Sequence, residues 1–392
     1  MTDRRVYVAA LDGLRGFAVA AVLLFHAGLL RGGFLGVDLF FALSGFLITG
    51  LLLDEAAGRR RIALGAFWGR RARRLLPALL CVVVVAVLAT WAWGTSAQLR
   101  FALDDVPWVG AQAVNWHYIS EQIGYWNASG TRVFAHLWSI GVEWQFYLAW
   151  PLVVAMVGQG RYSERIVALL AGSGALVSLA LTFVLGTAVD TTRAYEGTDT
   201  RAAALLLGAL AATAPVRNLA RRMPRGATDL VCLVLACALA VSWAVTEGEN
   251  APLLFQGGLF LHSAAAAALI VLVAEVPGTT ASRVAGSRLP RRLGEVSYSL
   301  YLWHWPVYLL LLPRVSLLGD WGGAAVAIVV SLVAAAATKR LVEDPVRFRS
   351  GWARGRRGVV SVAALALVGV VLWVAIPAPV QGAGTVDISQ LR

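Results

Sequence analysis

Apolar segments long enough to cross a membrane recur along the whole chain, and they constrain its fold more than any other feature. A membrane-spanning α-helix needs about 20 predominantly apolar residues. Of the 392 residues, 59% are hydrophobic and only 14% are charged, which excludes an ordinary soluble domain. The alternation typical of a membrane β-barrel is missing, and helices satisfy their own backbone hydrogen bonds. We therefore predict an all-α, polytopic integral membrane helix bundle.

The apolar segments predict about 10–11 transmembrane helices. The candidate spans are 7–30, 34–53, 75–93, 136–157, 166–187, 202–216, 228–246, 253–275, 296–313, 321–339 and 359–377. The stretch 101–119 is also partly apolar, but Asp104, Asp105 and Pro107 favour an external loop or a re-entrant element. We expect the first segment to be a retained helix rather than a signal peptide, because Asp12 and Arg15 interrupt it.

The net charge of +12 comes mostly from arginines in alternate short loops. This pattern predicts that the N-terminus lies inside and the C-terminus outside. It differs from the basic, aromatic-rich face typical of nucleic-acid binding, so we predict no nucleic-acid partner. The cysteines, Cys81, Cys232 and Cys237, lie within apolar segments and have neither a disulfide framework nor zinc spacing. We predict no metal.

Two polar residues in the first segment, Arg15 and His26, are the strongest indication of function. Eleven helical steps return to within roughly 20° of the start, so both side chains share one face, roughly 16 Å apart along the axis. Titratable groups inside a membrane are costly and usually functional. The pair therefore predicts a substrate along that face, with His26 as a general base. The alternative is a histidine satisfied by a neighbouring helix.

Two carboxylates within spans are candidate partners of this base. Asp38 begins the second segment, at about the height of His26, and is a candidate to orient it; the alternative is a helix cap. Glu143 and His136 are seven residues apart, so they are predicted to share a helix face. An acid within a span is functional by default, whereas His136 has an alternative place beside Trp138 at the membrane interface.

Basic and aromatic side chains complete the candidate site. Arg70, Arg71, Arg73 and Arg74 crowd one mouth of the third span. Inside-positive topology alone requires arginines here, but arginine also binds phosphate oxygens bidentately. In the ninth span His304 lies between Trp303 and Trp305. Either it is a packed core histidine, or the Tyr and Trp residues of this span line a pocket for an apolar or sugar group. Ser44, with Gly45, more readily permits close helix packing than supplies a nucleophile.

These motifs together resemble the membrane-bound acyltransferase family 3, the OafA/YrhL-like acyltransferases. The matching pieces occur in the family's order: Arg15-x10-His26, GVDLFFALSGFLI at 36–48, RRARRLLPAL at 70–79, LWSIGVEWQFYLAWP at 137–151, SYSLYLWHWPV at 297–307 and VEDPVR at 342–347. The resemblance covers about 7–350. It implies a bacterial cytoplasmic membrane enzyme that transfers an acyl group, often acetyl, from acyl-CoA to a hydroxyl of a glycan, glycolipid or glycosylated metabolite.

The resemblance also implies roles for particular residues. The family's basic residue and histidine correspond to Arg15 and His26, its RxxR pair to Arg71 and Arg74, and its acid to Glu143. We accordingly predict His26, Glu143 and Asp38 as catalytic. The predicted acyl-CoA-binding residues are Arg15, Arg71, Arg74 and Arg70, and the predicted acceptor-binding residues are His304, Trp138, Ser139 and Tyr301.

Two features depart from the family pattern. Trp144 stands where many members have a second acid, and the chain has one span beyond the usual ten. We predict an acyltransferase domain at 1–350, an additional helix at 351–377 and an external tail or linker at 378–392, with no soluble domain following.

A direct transfer and an acyl-enzyme on His26 or Ser44 stay open. So do two alternatives, a polytopic transporter and an acyl-donor channel that feeds a separate external transferase.

Overall fold

The computed structural model describes residues 7–59, 62–128, 130–158, 160, 162–186, 191–248, 251–349 and 355–377. These residues form helices and connecting turns without a β-strand, which confirms the all-α prediction. The predicted tail at 378–392 lies outside the described residues. The helices are α1 Ala9–His26, α2 Gly36–Arg59, α3 Leu64–Trp93, α4 Ser96–Gly110, α5 Val114–Ser120, α6 Tyr125–Ala128, α7 Trp138–Val157, α8 Ser163–Leu185, α9 Thr192–Glu196, α10 Thr198–Ala211, α11 Ala214–Arg222, α12 Arg225–Val245, α13 Leu259–Glu275, α14 Thr280–Ala285, α15 Arg288–Leu311, α16 Gly319–Thr338 and α17 Gly355–Ala375.

The described helices confirm a multi-pass membrane bundle. Eight of them are long and apolar enough to cross a membrane, or nine if a bent pair counts as one span. That pair, Thr192–Ala211 and Ala214–Arg222, bends by 63° and replaces the short predicted span at 202–216. The predicted spans at 296–313 and 359–377 correspond to α15 and α17, which lie outside the eight. In α15, hydroxyl-bearing and ring-nitrogen side chains reduce the hydropathy.

The stretch 101–119 is not a full span, in agreement with the prediction, and it forms two helices, α4 and α5. Neither is long enough to be among the candidate spans. A capping box starts α4: Thr95 Oγ1 accepts from the Gln98 amide at 3.2 Å, and Gln98 Oε1 accepts from the Thr95 amide at 2.9 Å. This reciprocal pair satisfies free amides at the helix start. The helix forms although it contains Asp104, Asp105 and Pro107.

Small residues let the central helices approach closely. A Cβ atom at Gly16 of α1 would overlap the carbonyl oxygen of Pro290 on α15, and one at Gly294 would overlap the carbonyl oxygen of Asp12. Gly45 of α2 lies equally close to the Leu205 backbone on α10, which confirms the packing role expected for this position. In lipid, such backbone contacts replace the hydrophobic effect as the source of helix association.

Gly16→Ala is expected to lower the free energy of unfolding by about 1–3 kcal/mol, because the added methyl group forces α1 and α15 apart. Thermal unfolding in detergent measures the effect. Gly226→Ala is the matched control, since a Cβ atom at Gly226 of α12 meets no heavy atom within 4 Å. Equal melting temperatures for the two variants would contradict the close α1–α15 contact.

Candidate active site

Two cavities lie along α1, one at each end of the Arg15–His26 face. We call the first the arginine cavity. It has a volume of about 60 Å³, and its polar lining consists of Arg15, Ser44, Arg71, Arg74, Ser139, Glu143, Tyr147, Ser297, Tyr298 and Tyr301. We call the second the histidine cavity. It also measures about 60 Å³, and it is lined by Phe25, His26, Tyr125, Trp126, Ala135, His136 and Trp305.

The arginine cavity has more positive than negative charge in its lining. The Nε atoms of Arg15, Arg71 and Arg74 are buried and have no hydrogen-bond partner among the described residues. The one carboxylate in the lining, Glu143, accepts hydrogen bonds from Ser44 Oγ and from the Tyr147 hydroxyl, the latter at 2.6 Å. Buried charges need partners, so this cavity suits an anionic ligand.

Arg70 does not belong to this cavity, and its predicted role in acyl-CoA binding is therefore not supported. Its Nη2 atom pairs with Glu55 at 3.0 Å, and its side chain is 48% exposed. The reason is helical geometry. Arg71 and Arg74 are three residues apart and share a face of α3, whereas Arg70 is rotated by roughly 100° from Arg71.

The histidine cavity holds a hydrogen-bonded chain that fixes the tautomer of His26. His304 Nδ1 lies 2.6 Å from the carbonyl oxygen of Tyr301, so this nitrogen donates. His304 Nε2 is then free to accept from His26 Nδ1, which lies 3.2 Å away and also 3.0 Å from the Val22 carbonyl oxygen. In a neutral imidazole only one nitrogen has the proton. His26 Nε2 therefore has a lone pair, which accepts from the Tyr125 hydroxyl at 3.0 Å.

The group that orients His26 is His304, and the prediction that Asp38 does so is wrong. Asp38 Oδ1 accepts from Arg201 Nη2 at 2.9 Å and from Ser263 Oγ at 3.1 Å. Both Asp38 and Arg201 are almost fully buried. A buried cation attracts a buried carboxylate more strongly than a neutral imidazole does, so Arg201 determines where Asp38 points.

Glu143 and His136 do not share a face, in contrast to the prediction. His136 lies in the 3₁₀ turn Ala135–Leu137 that precedes α7, so α-helical periodicity does not hold between the two residues. Glu143 lines the arginine cavity and His136 the histidine cavity. Glu143 is therefore not the partner of His26 either.

Of the predicted acceptor-binding residues, His304 and Trp138 line neither cavity. His304 contacts His26 directly. The buried ring of Trp138 lies 4.8 Å from that of Tyr195 and 5.7 Å from the Arg201 guanidinium carbon, where it packs around the Asp38–Arg201 pair. Ser139 and Tyr301 line the arginine cavity. Their hydroxyl oxygens lie 2.7 Å apart, and Tyr301 also donates to the carbonyl oxygen of His136 at 2.8 Å.

Two aromatic residues that line the histidine cavity, Tyr125 and Trp126, had no signal in the sequence. Tyr125 and Trp126 belong to the short helix α6 between two spans, outside every quoted motif. Trp305 is one of the tryptophans of the ninth span for which a pocket was an open alternative, and its ring lies 4.8 Å from that of His26. The doublet of tryptophans around His304 was the available signal for Trp305, whereas nothing local marked Tyr125.

Comparison with known proteins identifies the class. The sequence model of acyltransferase family 3, which is described as an acyltransferase domain, matches residues 8–340 of this chain. The chain therefore belongs to this family of membrane acyltransferases, as its motifs predicted.

Individual relatives agree with this assignment. The chain is 31% identical over 359 residues to the peptidoglycan O-acetyltransferase OatA of Listeria monocytogenes, covering 88% of this chain and 56% of the relative. It is 34% identical over 307 residues to the O-acetyltransferase OatA of Staphylococcus aureus, covering 77% and 50%. It is 33% identical over 376 residues to YrhL of Bacillus subtilis, covering 89% and 57%. The chain thus spans about half the length of these relatives. No solved structure matches it.

Asp38→Ala is expected to lower the free energy of unfolding by about 3–5 kcal/mol, because it leaves Arg201 charged and unpaired in the bundle. Adding Arg201→Leu should restore part of this loss. The comparison is Glu247→Ala, which breaks the exposed Arg31–Glu247 pair and should cost under about 1 kcal/mol. Thermal unfolding in detergent distinguishes these outcomes. A stable Asp38→Ala protein would show that the buried pair is not structural.

Proposed function

We propose that this chain transfers an acetyl group from acetyl-CoA to a hydroxyl of a bacterial cell-envelope glycan. The observation that carries the proposal is the pairing, along one helix, of a cation-rich buried cavity with a histidine whose Nε2 lone pair faces a second cavity. Membership in the acyltransferase family supports the reaction class and disfavours the transporter alternative. The names of the OatA relatives support an acetyl group and, for the Listeria protein, a peptidoglycan acceptor.

The proposed donor site is the arginine cavity. The phosphates of coenzyme A would bind Arg71 and Arg74, with Arg15 deeper, because guanidinium groups match phosphate oxygens in charge and geometry. The unpartnered Nε atoms of these arginines support an anionic ligand. The pantetheine arm would then extend along α1, over the roughly 16 Å that separates Arg15 from His26. The distribution of arginine among the loops supports a cytosolic location for this end.

The proposed acceptor site is the histidine cavity. The Tyr125 hydroxyl shows where an O–H group docks on His26 Nε2, and an acceptor hydroxyl would take its place. His26 takes the proton as the acceptor oxygen attacks the thioester carbonyl carbon. The carbon–sulfur bond then breaks, and the leaving thiolate takes the proton from the imidazolium. The rings of Phe25, Trp126 and Trp305 offer flat apolar surfaces to the C–H faces of a sugar.

A second candidate function is an acyl-donor unit that delivers the acetyl group to a separate external transferase. The observation that favours it is that the OatA relatives extend well beyond the region that this chain matches. Such a unit needs the donor site but not His26 as the base that activates a glycan. Transfer to a soluble glycan by the purified chain alone separates the two functions.

His26→Ala is expected to lower acetyl transfer about 10²- to 10⁴-fold, the usual contribution of a general base. His304→Phe should cause a smaller loss, because His26 Nδ1 then loses its acceptor on α15. The assay follows radiolabelled acetyl from acetyl-CoA to peptidoglycan fragments, with purified protein in detergent. His262→Gln is the control, since His262 lines neither cavity and its one hydrogen bond among the described residues comes from Trp243. Acetyl-CoA binding should survive in all variants; unchanged transfer by His26→Ala would overturn the assignment.

Arg71→Gln is expected to weaken acetyl-CoA binding by about 1.5–3 kcal/mol, the range for hydrogen bonds to charged groups, or roughly 10- to 100-fold in Kd. Arg70→Gln is a matched control, because Arg70 is adjacent in sequence but pairs with Glu55 outside the cavity. Binding of radiolabelled acetyl-CoA to purified protein gives both values. Equal losses in the two variants would indicate that surface charge, and not the cavity, attracts the donor.

A further inference from the structure

A buried ion pair outside both cavities joins α4 to the segment that leads into α7. The carboxylate of Asp105 is fully buried and accepts hydrogen bonds from the Arg132 guanidinium and from the Tyr118 hydroxyl, the latter at 2.9 Å. The Arg132 guanidinium carbon also lies 4.7 Å from the centre of the Phe101 ring and 5.3 Å from that of Tyr118. Arg132 is therefore held on three sides by α4 and α5.

This pair is connected to the histidine cavity by the backbone of Arg132. The Arg132 carbonyl oxygen accepts from Trp305 Nε1 at 2.9 Å. The Trp305 ring lines the histidine cavity and lies 4.8 Å from the His26 ring. Ala135 and His136, a few residues after Arg132, line the same cavity. Fixing Arg132 thus fixes three of the walls around His26.

We propose that the Asp105–Arg132 pair positions the acceptor side of the active site, by holding Trp305 and residues 132–136 against His26. Asp105 and Arg132 are positioning residues, since neither lines the arginine cavity or the histidine cavity. The inference rests on the proposed function, because it assigns acceptor binding to the histidine cavity. It gives a function to Asp105, which the sequence marked only as unfavourable for a membrane span.

Protonation of Asp105 makes the Asp105–Arg132 pair sensitive to pH. Burial raises the pKa of Asp105 to about 6, against the opposing effects of Arg132 and Tyr118. The other titratable groups around it are Asp104 on α4 and His117 and Glu121 on the α5 side; burial lowers the pKa of His117. Below pH 6 Asp105 is neutral, and Arg132 loses its counter-charge. Ionising Asp105 lowers stability as the pH rises toward about 6, because the folded chain holds this proton more tightly than the unfolded chain does.

The test compares Asp105→Asn with Asp104→Asn, its exposed neighbour. The ratio of wild-type to Asp105→Asn kcat/KM for the acceptor should be about 10-fold at pH 8 and should approach 1 near pH 5, where the wild type is itself protonated. The ratio cancels any titration of His26. The KM for acetyl-CoA should not change. Asp104→Asn should give a ratio near 1 at every pH. Equal ratios for the two variants at pH 8 would overturn the positioning role, and a pH-independent loss in Asp105→Asn would overturn its sensitivity to pH.

Hydrogen–deuterium exchange separates a failure of this proposal from a failure of the proposed function, because it needs no turnover. Asp105→Asn should increase amide exchange in residues 133–137 at pH 8, and Asp104→Asn should leave it unchanged. Trp305→Phe keeps an aromatic ring but removes the Nε1–H donor to Arg132. It should therefore raise the acceptor KM while the Asp105–Arg132 pair stays formed. Unchanged exchange in Asp105→Asn would refute the positioning role even if the wild type proves to be an active transferase.

Discussion

The close contact between α1 and α15 is the constraint on which the rest of the site depends. Gly16 lies against the backbone at Pro290 and Gly294, and ten residues further along each helix are His26 and His304. Gly16 and Gly294 are 278 positions apart in the sequence, and so are His26 and His304. The two helices therefore run in the same direction. Ten residues correspond to about 15 Å of rise. The backbone contact at one end therefore sets the distance between the two imidazoles at the other.

The two carboxylates predicted to orient His26 have other partners in the bundle, which explains why a neutral histidine orients the base. Asp38 is engaged by Arg201, and Glu143 by Ser44 and Tyr147. A charged carboxylate beside His26 would itself need a partner in a medium without water. His304 orients His26 with no net charge, because the backbone carbonyl of Tyr301 holds its proton. In the arginine cavity, by contrast, three arginines face one carboxylate. This excess of positive charge is why an anionic substrate group is expected there.

The sequence predicted the features that depend on one helix and missed those that depend on two. The candidate spans, the common face of Arg15 and His26, and the arginines of α3 follow from hydropathy and the 3.6-residue period. The Asp38–Arg201 pair joins residues 163 positions apart, and the His26–His304 contact joins residues 278 apart. Lipid is as apolar as a helix neighbour, so the apolar residues of a span do not show which face meets which helix.

Cavity size sets a requirement on the proposed reaction. Each cavity measures about 60 Å³, whereas sites for small molecules usually measure about 300–1,000 Å³. Side chains must therefore move before acetyl-CoA and a glycan meet. Two of the lining tyrosines are held by side-chain hydrogen bonds, Tyr125 to His26 and Tyr301 to Ser139. Exchanging one such bond for a bond to substrate costs little net free energy. The polar groups of the substrates can thus displace these hydroxyls.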